Sequence, residues 1–530
     1  MKNKGLFVGS FFALMLLALV LRVYHIGQFG LFGDEKQSLL IAVGNTNFGG
    51  MTDLLAPPKT FTPGDFWADR GLKAWLDADA RGDVSGNSLV HDMMLKLFAF
   101  LFGKEDGVLR SVSVLFNMLT LWLIFFWARR LRPGSQSFPI LILALAVLEP
   151  FFVIYSQQAR NYTTSIFFTT ASNFFFWSAM QAEQQQKNSR NRWVGWILTS
   201  IGALFSTYLT ALVLLGQVLF SFTQRNTWKF WQKHILSGII VIFPFACWML
   251  WGPGKYFLAY QADAARQYLD YLNTNGPILG WIEAASPGNL FKRTVSILSD
   301  QFLWTNDLYI RHGFKIGAVC LLLFGAGVFS WLKKLNREAR AVYILGFIQI
   351  IFPILVLIAT AINAGTTTGY FLRYASFGLP FGIFITVGFA EYIFQLNVWA
   401  KIVASIFLFI QVNYLVQLIL PLYSDKPQKY TFAHDRISNP YPYIAQKIKK
   451  YYQLGDTVFY PSRMSNFLNS AHLQTRVADV SDAQLTNVYF EPSDLYLQKI
   501  DTLIQDSVLL KKKNGRRLLI FDFKKGKYRY

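Results

Sequence analysis

Long apolar runs separated by short polar segments recur from Leu6 to Leu422 and then stop. A run of roughly 17 to 25 apolar residues, coiled as a helix, is long enough to cross a hydrocarbon core of about 30 Å. The pattern predicts eleven such helices, over Leu6–Tyr24, Val108–Trp127, Phe138–Tyr155, Thr163–Met180, Trp193–Tyr208, Leu209–Phe222, Ile235–Trp251, Phe314–Trp331, Val342–Ile362, Tyr374–Phe394 and Val398–Leu422. The expected fold class is therefore an all-α polytopic membrane protein. A small C-terminal α/β module follows in the tail, where Tyr443–Tyr452 reads as an amphipathic helix, Gly455-Asp456 as a turn, and Thr457–Tyr460 and Leu518–Phe523 as strands.

Charge then sets the direction of each crossing. Lys and Arg accumulate in short cytoplasmic loops, and four of the intervening segments are basic, holding Arg129, Arg130, Arg132, Lys187, Arg190, Arg192, Arg225, Lys229, Lys233, Lys333, Lys334, Arg337 and Arg340. With the amino terminus inside, all four face the cytoplasm. Basic loops on both flanks of the pair 193–208 and 209–222 require an even number of crossings, so a tight hairpin at Ser206, Thr207 and Tyr208 is expected. The stretch Leu89–Phe102 contains His91, Asp92 and Lys96 and is too short to span, so it is expected to lie at the interface. The outer regions are then His25–Gly107, Ser156–Tyr162, Gly252–Gly313, Asn363–Arg373 and everything after Leu422. This divides the chain into a membrane region, 1–422, with large outer loops at 25–107 and 252–313, and an extracytoplasmic domain, 423–530.

Composition supports lipid as the main solvent: 53% of the 530 residues are hydrophobic and 15% charged, against about 25% charged in ordinary soluble domains. The net charge of +21 is spread through loops between apolar runs, which argues for orientation in a membrane and against nucleic acid as a partner. Cys247 and Cys320 both sit inside apolar runs, so neither a disulfide framework nor a cysteine metal site is expected. Lys2 and Lys4 precede an apolar run with no small-residue cleavage pattern after it, and this reads as an uncleaved first span.

The candidate chemistry gathers at the outer rim. Asp34 and Glu35 follow the first span closely, where a carboxylate can take a proton from an incoming hydroxyl or bind a divalent cation; the plainer alternative is a solvated pair in which Asp34 caps a helix. Arg160 lies in the turn Tyr155-Ser156-Gln157-Gln158-Ala159-Arg160-Asn161-Tyr162, placed either to fork onto a lipid phosphate or to snorkel. Glu149 is an ionisable residue within a span, a position that ordinarily faces the bundle interior and has a purpose. Arg373-Tyr374, after Gly365-Thr366-Thr367-Thr368-Gly369, offers a second cation at the same depth. Carboxylates and two arginines converging on one rim suit an anionic lipid-phosphate donor.

In this order and spacing the motifs resemble the GT-C superfamily of polyprenyl-phosphate-sugar glycosyltransferases, in the branch similar to bacterial protein O-mannosyltransferases and the aminoarabinose transferase of lipid A. The resemblance rests on Gly33-Asp34-Glu35 after the first span; Asp83-Val84-Ser85-Gly86-Asn87 before the segment ending Leu101-Phe102-Gly103; Leu109-Arg110-Ser111; the Tyr155–Tyr162 turn; and Arg373-Tyr374 with Pro380. It implies a helical membrane enzyme of the inner membrane that takes sugar from a lipid monophosphate with inversion. Asp34 would be the catalytic base beside Glu35, and Arg160 and Arg373 would face the phosphate. The chain departs from many relatives at Asn87-Ser88-Leu89-Val90-His91-Asp92, where His-Pro-Pro or Asn-Gly is common, so any contribution there falls to Asn87, His91 or Lys96. The expected substrate contacts are thus Asn87, His91, Lys96, Glu149, Arg160, Tyr162, Arg373 and Tyr374.

No cofactor is required, though Asp34 and Glu35 could share a divalent cation. The partners expected are the polyprenyl-phosphate sugar, membrane lipids and an envelope glycan, lipid or protein as acceptor. A transporter or flippase would more often show repeated halves and helices interrupted at the midplane. A polymerase or ligase would use a pyrophosphate donor, and a scaffold would leave Glu149 and the rim cations without a role.

Overall fold

The structure is a computed structural model and describes residues 2–28, 30–31, 33–44, 60–67, 71–82, 88–224, 226–252, 254–303, 314–420, 439–461, 481–501, 503–504 and 506–525. Its principal helices are α1 Lys2–Val23, α2 Gly33–Ala42, α3 Gly71–Gly82, α4 Leu89–Phe102, α5 Asp106–Leu131, α6 Ser137–Leu148, α7 Pro150–Ser156, α8 Tyr162–Gln184, α9 Arg190–Leu204, α10 Ala211–Thr223, α11 Trp228–Leu250, α12 Lys255–Asn275, α13 Pro287–Phe302, α14 Phe314–Lys334, α15 Arg337–Ala364, α16 Leu379–Phe394, α17 Val398–Ile419, α18 Tyr441–Tyr451 and α19 Ser481–Asn487. Among the described residues seven helical segments are long and apolar enough to cross a membrane. The pair α6 and α7, bent by 55° at their junction, makes an eighth if it counts as one span.

The expected count of eleven is not reached by length and apolarity, for two physical reasons. Helix α8 is long, but Thr163, Thr164, Ser165, Thr169, Thr170, Ser172 and Asn173 are buried along it. It packs between α5 and α9, so these groups meet other helices in place of lipid. Asn173 accepts from both Gln217 and Gln349 at 3.1 Å, and the hydroxyls of Ser172 and Ser200 lie 2.8 Å apart. Helices α9 and α10 are simply short. They do form the expected hairpin: the chain turns at 205–207, and Trp196 donates to Gln217 across it at 2.8 Å.

Helix α4 buries His91, Asp92 and Leu95 on one face and exposes Met93, Leu97, Phe100, Leu101 and Phe102 on the other, the two-sided character expected of an interfacial segment. Within 254–303, described residues of the segment expected as a large outer loop, the chain folds into two further helices. Helix α12 is amphipathic, while α13 inserts into the bundle core through Leu290, Ile297 and Phe302. Its far end is gripped there: Thr386 donates to the Phe302 carbonyl at 3.1 Å and Gln411 to that of Leu303 at 2.6 Å. A Cβ on Gly382 would collide with the Gln301 carbonyl, so glycine is what permits this approach.

The tail forms a four-stranded sheet of order β2-β1-β3-β4, with β1 Thr457–Pro461, β2 Leu497–Asp501, β3 Ser507–Lys511 and β4 Arg517–Asp522. β1 pairs parallel to β2 through a crossover carrying α19, and antiparallel to β3. The expected helix and two strands are present, and β2 and β3 are additional. The sheet does not stand apart from the rest of the chain. Phe61 exchanges two backbone hydrogen bonds with Gln498 on the β2 edge, at 3.0 and 2.8 Å. One hydrophobic cluster joins Leu39, Leu40, Phe61 and Phe66 of the first loop, Leu95 and Leu109 of α4 and α5, and Tyr441, Ile444, Val458 and Leu510 of the tail. Asp106 at the start of α5 accepts from Asn439 at 2.8 Å. The tail therefore packs on the end of the bundle that carries α2.

Candidate active site

Helix α2 opens with Asp34 and Glu35 in its first turn, where carboxylates suit the positive end of the helix dipole. Glu35 is buried and paired with Arg110 of α5 in a fork, Nε to Oε1 at 2.8 Å and Nη2 to Oε2 at 2.9 Å. Oε1 also accepts the Ala159 backbone N–H at 2.8 Å. The same guanidinium donates to the carbonyls of Ile26 at 2.7 Å and Gly30 at 2.9 Å. Glu35 thus ties together the exit of α1, the start of α2, α5 and the 157–161 turn.

Asp34 is held differently. Its side chain is 33% exposed, and Nη1 of Arg373 stands 3.8 Å from its Oδ2, an ion-pair distance too long for a hydrogen bond. Arg160 fixes the backbone underneath: its Nη1 donates to the Asp34 carbonyl at 3.0 Å and to Ser38 Oγ at 2.9 Å. Arg160 is itself buried, and its own carbonyl accepts from Ser113. Of the two predicted arginines, Arg373 faces the carboxylate and Arg160 supports the chain that carries it.

Aromatic rings surround Arg373. Its guanidinium lies 4.9 Å from the Tyr374 ring centre and 5.4 Å from that of Phe371, cation–π range for both. Tyr155, Tyr162 and Asp34 are among its electrostatic neighbours, and the Tyr155 and Tyr162 rings meet edge to face at 4.7 Å. Tyr268 of α12 closes the group. Burial pushes its hydroxyl up to about 12; the neighbouring Tyr374 and Asp34 add to this and Arg373 opposes it. Tyr155 stands in the rim turn with no role legible from the sequence, and nothing in the sequence marks Tyr268. Only the amphipathic period of 255–275 could have pointed to a residue in that helix.

The other expected contacts lie elsewhere. The Glu149 carboxylate caps α7, accepting the Phe152 N–H at 2.7 Å at the bend that Pro150 begins. Buried Arg22 and Asp300 are its electrostatic neighbours, and Arg22 donates to Asn117 at 2.5 Å. His91 is buried, with Nδ1 2.9 Å from Thr164 Oγ1 of α8. Lys96 is exposed, its ammonium 5.3 Å from the Trp75 ring. Asn87 lies outside the described residues. Among the described residues no group of three or more His, Cys, Asp or Glu side chains could hold a metal ion. Both Glu35 oxygens accept from Arg110, so a cation shared with Asp34 would sit beside a guanidinium already paired with that carboxylate.

Residues 87–251 match the profile of the family described as dolichyl-phosphate-mannose-protein mannosyltransferase. The matched stretch runs from α4 through α11 and includes Arg160, but it leaves out Asp34 and Arg373. No curated protein matches the chain in sequence. Among solved structures, the chain is similar to ArnT from Cupriavidus metallidurans in the apo state, at 13% identity and TM-score 0.39 over 80% of this chain and 73% of that one. The same protein bound to undecaprenyl phosphate gives 16% identity and TM-score 0.40 over 78% and 72%. The Archaeoglobus fulgidus oligosaccharyltransferase gives 10% identity and TM-score 0.42 over 84% of this chain and 58% of that one. None of these structural likenesses is strong enough to locate a site.

Proposed function

We propose that this chain is a membrane glycosyltransferase of the GT-C superfamily, a reading supported by its ordered motifs and by the family match over residues 87–251, and that it transfers a sugar from a polyprenyl-phosphate donor to a cell-envelope acceptor. The observation that carries this is the open Asp34–Arg373 pair, one-third exposed at the carboxylate and 3.8 Å across, set beside the closed Glu35–Arg110 clamp.

In this reading Asp34 takes the proton from the acceptor hydroxyl as its oxygen attacks the anomeric carbon. The bond from that carbon to the phosphate oxygen breaks, its electron pair leaves with the phosphate, and the configuration inverts. Arg373 stabilises the charge gathering on the departing phosphate, as preorganised cations do in a dry site. Arg160 is a positioning residue that holds the first turn of α2 within reach, because small errors in geometry are costly in rate, while Glu35 clamps the surrounding elements together through Arg110 and the Ala159 N–H. Tyr162, Tyr374, Tyr155 and Tyr268 form the wall against which donor and acceptor pack. Arg132 pairs with Glu391, and Lys334 donates to the Tyr392 hydroxyl at 2.5 Å. The basic loops thus gather at the end of the bundle away from Asp34, which supports a reaction on the outer face of the inner membrane, with the tail outside.

The test uses purified protein in lipid nanodiscs and a panel of radiolabelled polyprenyl-phosphate sugars, comparing wild type with Asp34→Asn. The expected result is transfer or donor hydrolysis by wild type, with the variant binding donor but doing neither. Normal turnover by the variant would remove Asp34 from the mechanism. Absence of donor binding in both proteins would favour a transporter.

A further inference from the structure

At the opposite end of the bundle from Asp34, α8, α9 and α11 enclose a cavity of about 810 Å³. Helix α8 runs 23 residues from the aromatic wall to this point, which at 1.5 Å per residue separates the two sites by roughly 35 Å. Lys187, Arg190, Lys229 and Lys233 line the cavity with a single carboxylate, Glu183. Glu183 is already satisfied: Lys233 Nζ lies 2.6 Å from its Oε1, and Ser189 and Trp193 also donate to it. Lys187, Arg190 and Lys229 are exposed, and among the described residues no carboxylate pairs with them. The cavity therefore keeps a net charge of +3.

Two further features fix what would neutralise that charge. Helices α9 and α11 both begin at the cavity, at Ser189-Arg190 and Thr227-Trp228, so two positive dipole ends add to the cations, although Asn188 and Thr227 already take the N–H groups of Arg190 and Phe230. The remaining wall is apolar and open: Val194 and Leu236 line it with 46% and 62% of their surface exposed. Leu198 and Ile239 continue the same faces of α9 and α11 toward the middle of the bundle, again exposed. A soluble anion would use the cations and leave this apolar trough empty.

We propose that this cavity is a binding site for an anionic phospholipid of the leaflet opposite the active site, with its phosphate seated among Lys187, Arg190 and Lys229 and its acyl chains running down the groove between α9 and α11. Basic pockets between helices hold lipid headgroups by this combination of charge and apolar wall. The inference is independent of the proposed reaction.

The experiment is native mass spectrometry of the full-length protein with added tetraoleoyl cardiolipin, dioleoylphosphatidylglycerol or dioleoylphosphatidylcholine. Wild type should retain an anionic lipid in preference to phosphatidylcholine, and excess inorganic phosphate should not displace it. The triple variant Lys187→Gln, Arg190→Gln, Lys229→Gln should lose affinity on the order of 100-fold, whereas Lys333→Gln with Lys334→Gln, an equally basic rim outside the cavity, should bind as wild type does. Val194→Trp, which fills the trough and spares every cation, should also weaken retention. Unchanged retention by the triple variant, equal retention of phosphatidylcholine, or displacement by phosphate would each overturn the proposal.

Discussion

Asp34 and Glu35 are neighbours in sequence, each is paired with an arginine, and the two pairs are built to opposite ends. Glu35 and Arg110 are 2% and 7% exposed and share a two-pronged hydrogen bond that closes at 2.8 Å. Asp34 and Arg373 are 33% and 15% exposed and stop at 3.8 Å. A buried ion pair contributes little net stability over an apolar substitute, but removing one partner leaves an uncompensated charge. The closed pair therefore acts as a clamp whose failure is felt in folding. The open pair leaves its carboxylate accessible to a substrate.

Removing one half of the clamp should have the largest effect on stability. Arg110→Met strands the Glu35 carboxylate and frees the carbonyls of Ile26 and Gly30, and should cost about 3–5 kcal/mol, read as a fall in the unfolding temperature in nanodiscs. Arg373→Gln should leave that temperature unchanged and weaken donor binding by about 1.5–3 kcal/mol, the range for a hydrogen bond to a charged group; a stability loss as large as that of Arg110→Met would erase the contrast.

A smaller effect is expected in the tail. There burial alone would raise the Asp456 carboxyl, but the Lys512 ammonium at 2.8 Å and the N–H groups of Gln453 and Lys513 hold it below the usual carboxylate range. A carboxyl held low in the folded state contributes stability that is fully present above its unfolded pKa and is lost as the pH falls through the folded value. Asp456→Asn should thus cost about 1 kcal/mol at neutral pH and progressively less in acid, checked by unfolding wild type and variant across pH. Lys96→Gln should change neither stability nor transfer beyond error, since among the described residues Lys96 is exposed and covers the Trp75 ring.

The same contrast marks what could be read from sequence. Asp34, Arg160 and Arg373 were legible as rim residues because crossing parity and basic loops are local, countable properties. Which carboxylate would be closed and which open depends on Arg110 and on the Ala159 N–H, groups 75 and 124 positions away from Glu35, and no local pattern encodes that choice. Helix α8 was placed correctly along the chain, but its serines and threonines gave no sign of the polar network from Ser172 to Gln349. Helix α13 was missed for a related reason: its buried polar residues, Ser296, Ser299, Asp300 and Gln301, make it look like a loop until the helices that cover it are in place. Strands β2 and β3 depend on pairing across the sheet and on the docking of Phe61, both long-range. Glu149 was read as unusual for a span, and its capping of a bent helix is a local reason that the adjacent Pro150 signals.

The most direct measurement compares single-turnover transfer at saturating donor with unfolding temperature for Asp34→Asn and Glu35→Gln in the same nanodiscs. The account predicts that Asp34→Asn slows transfer on the order of 10²- to 10⁴-fold with an unfolding temperature equal to wild type, and that Glu35→Gln lowers the unfolding temperature while surviving protein keeps the greater part of its rate. Near-normal transfer by Asp34→Asn, or a Glu35→Gln protein as stable as wild type and equally inactive, would contradict it.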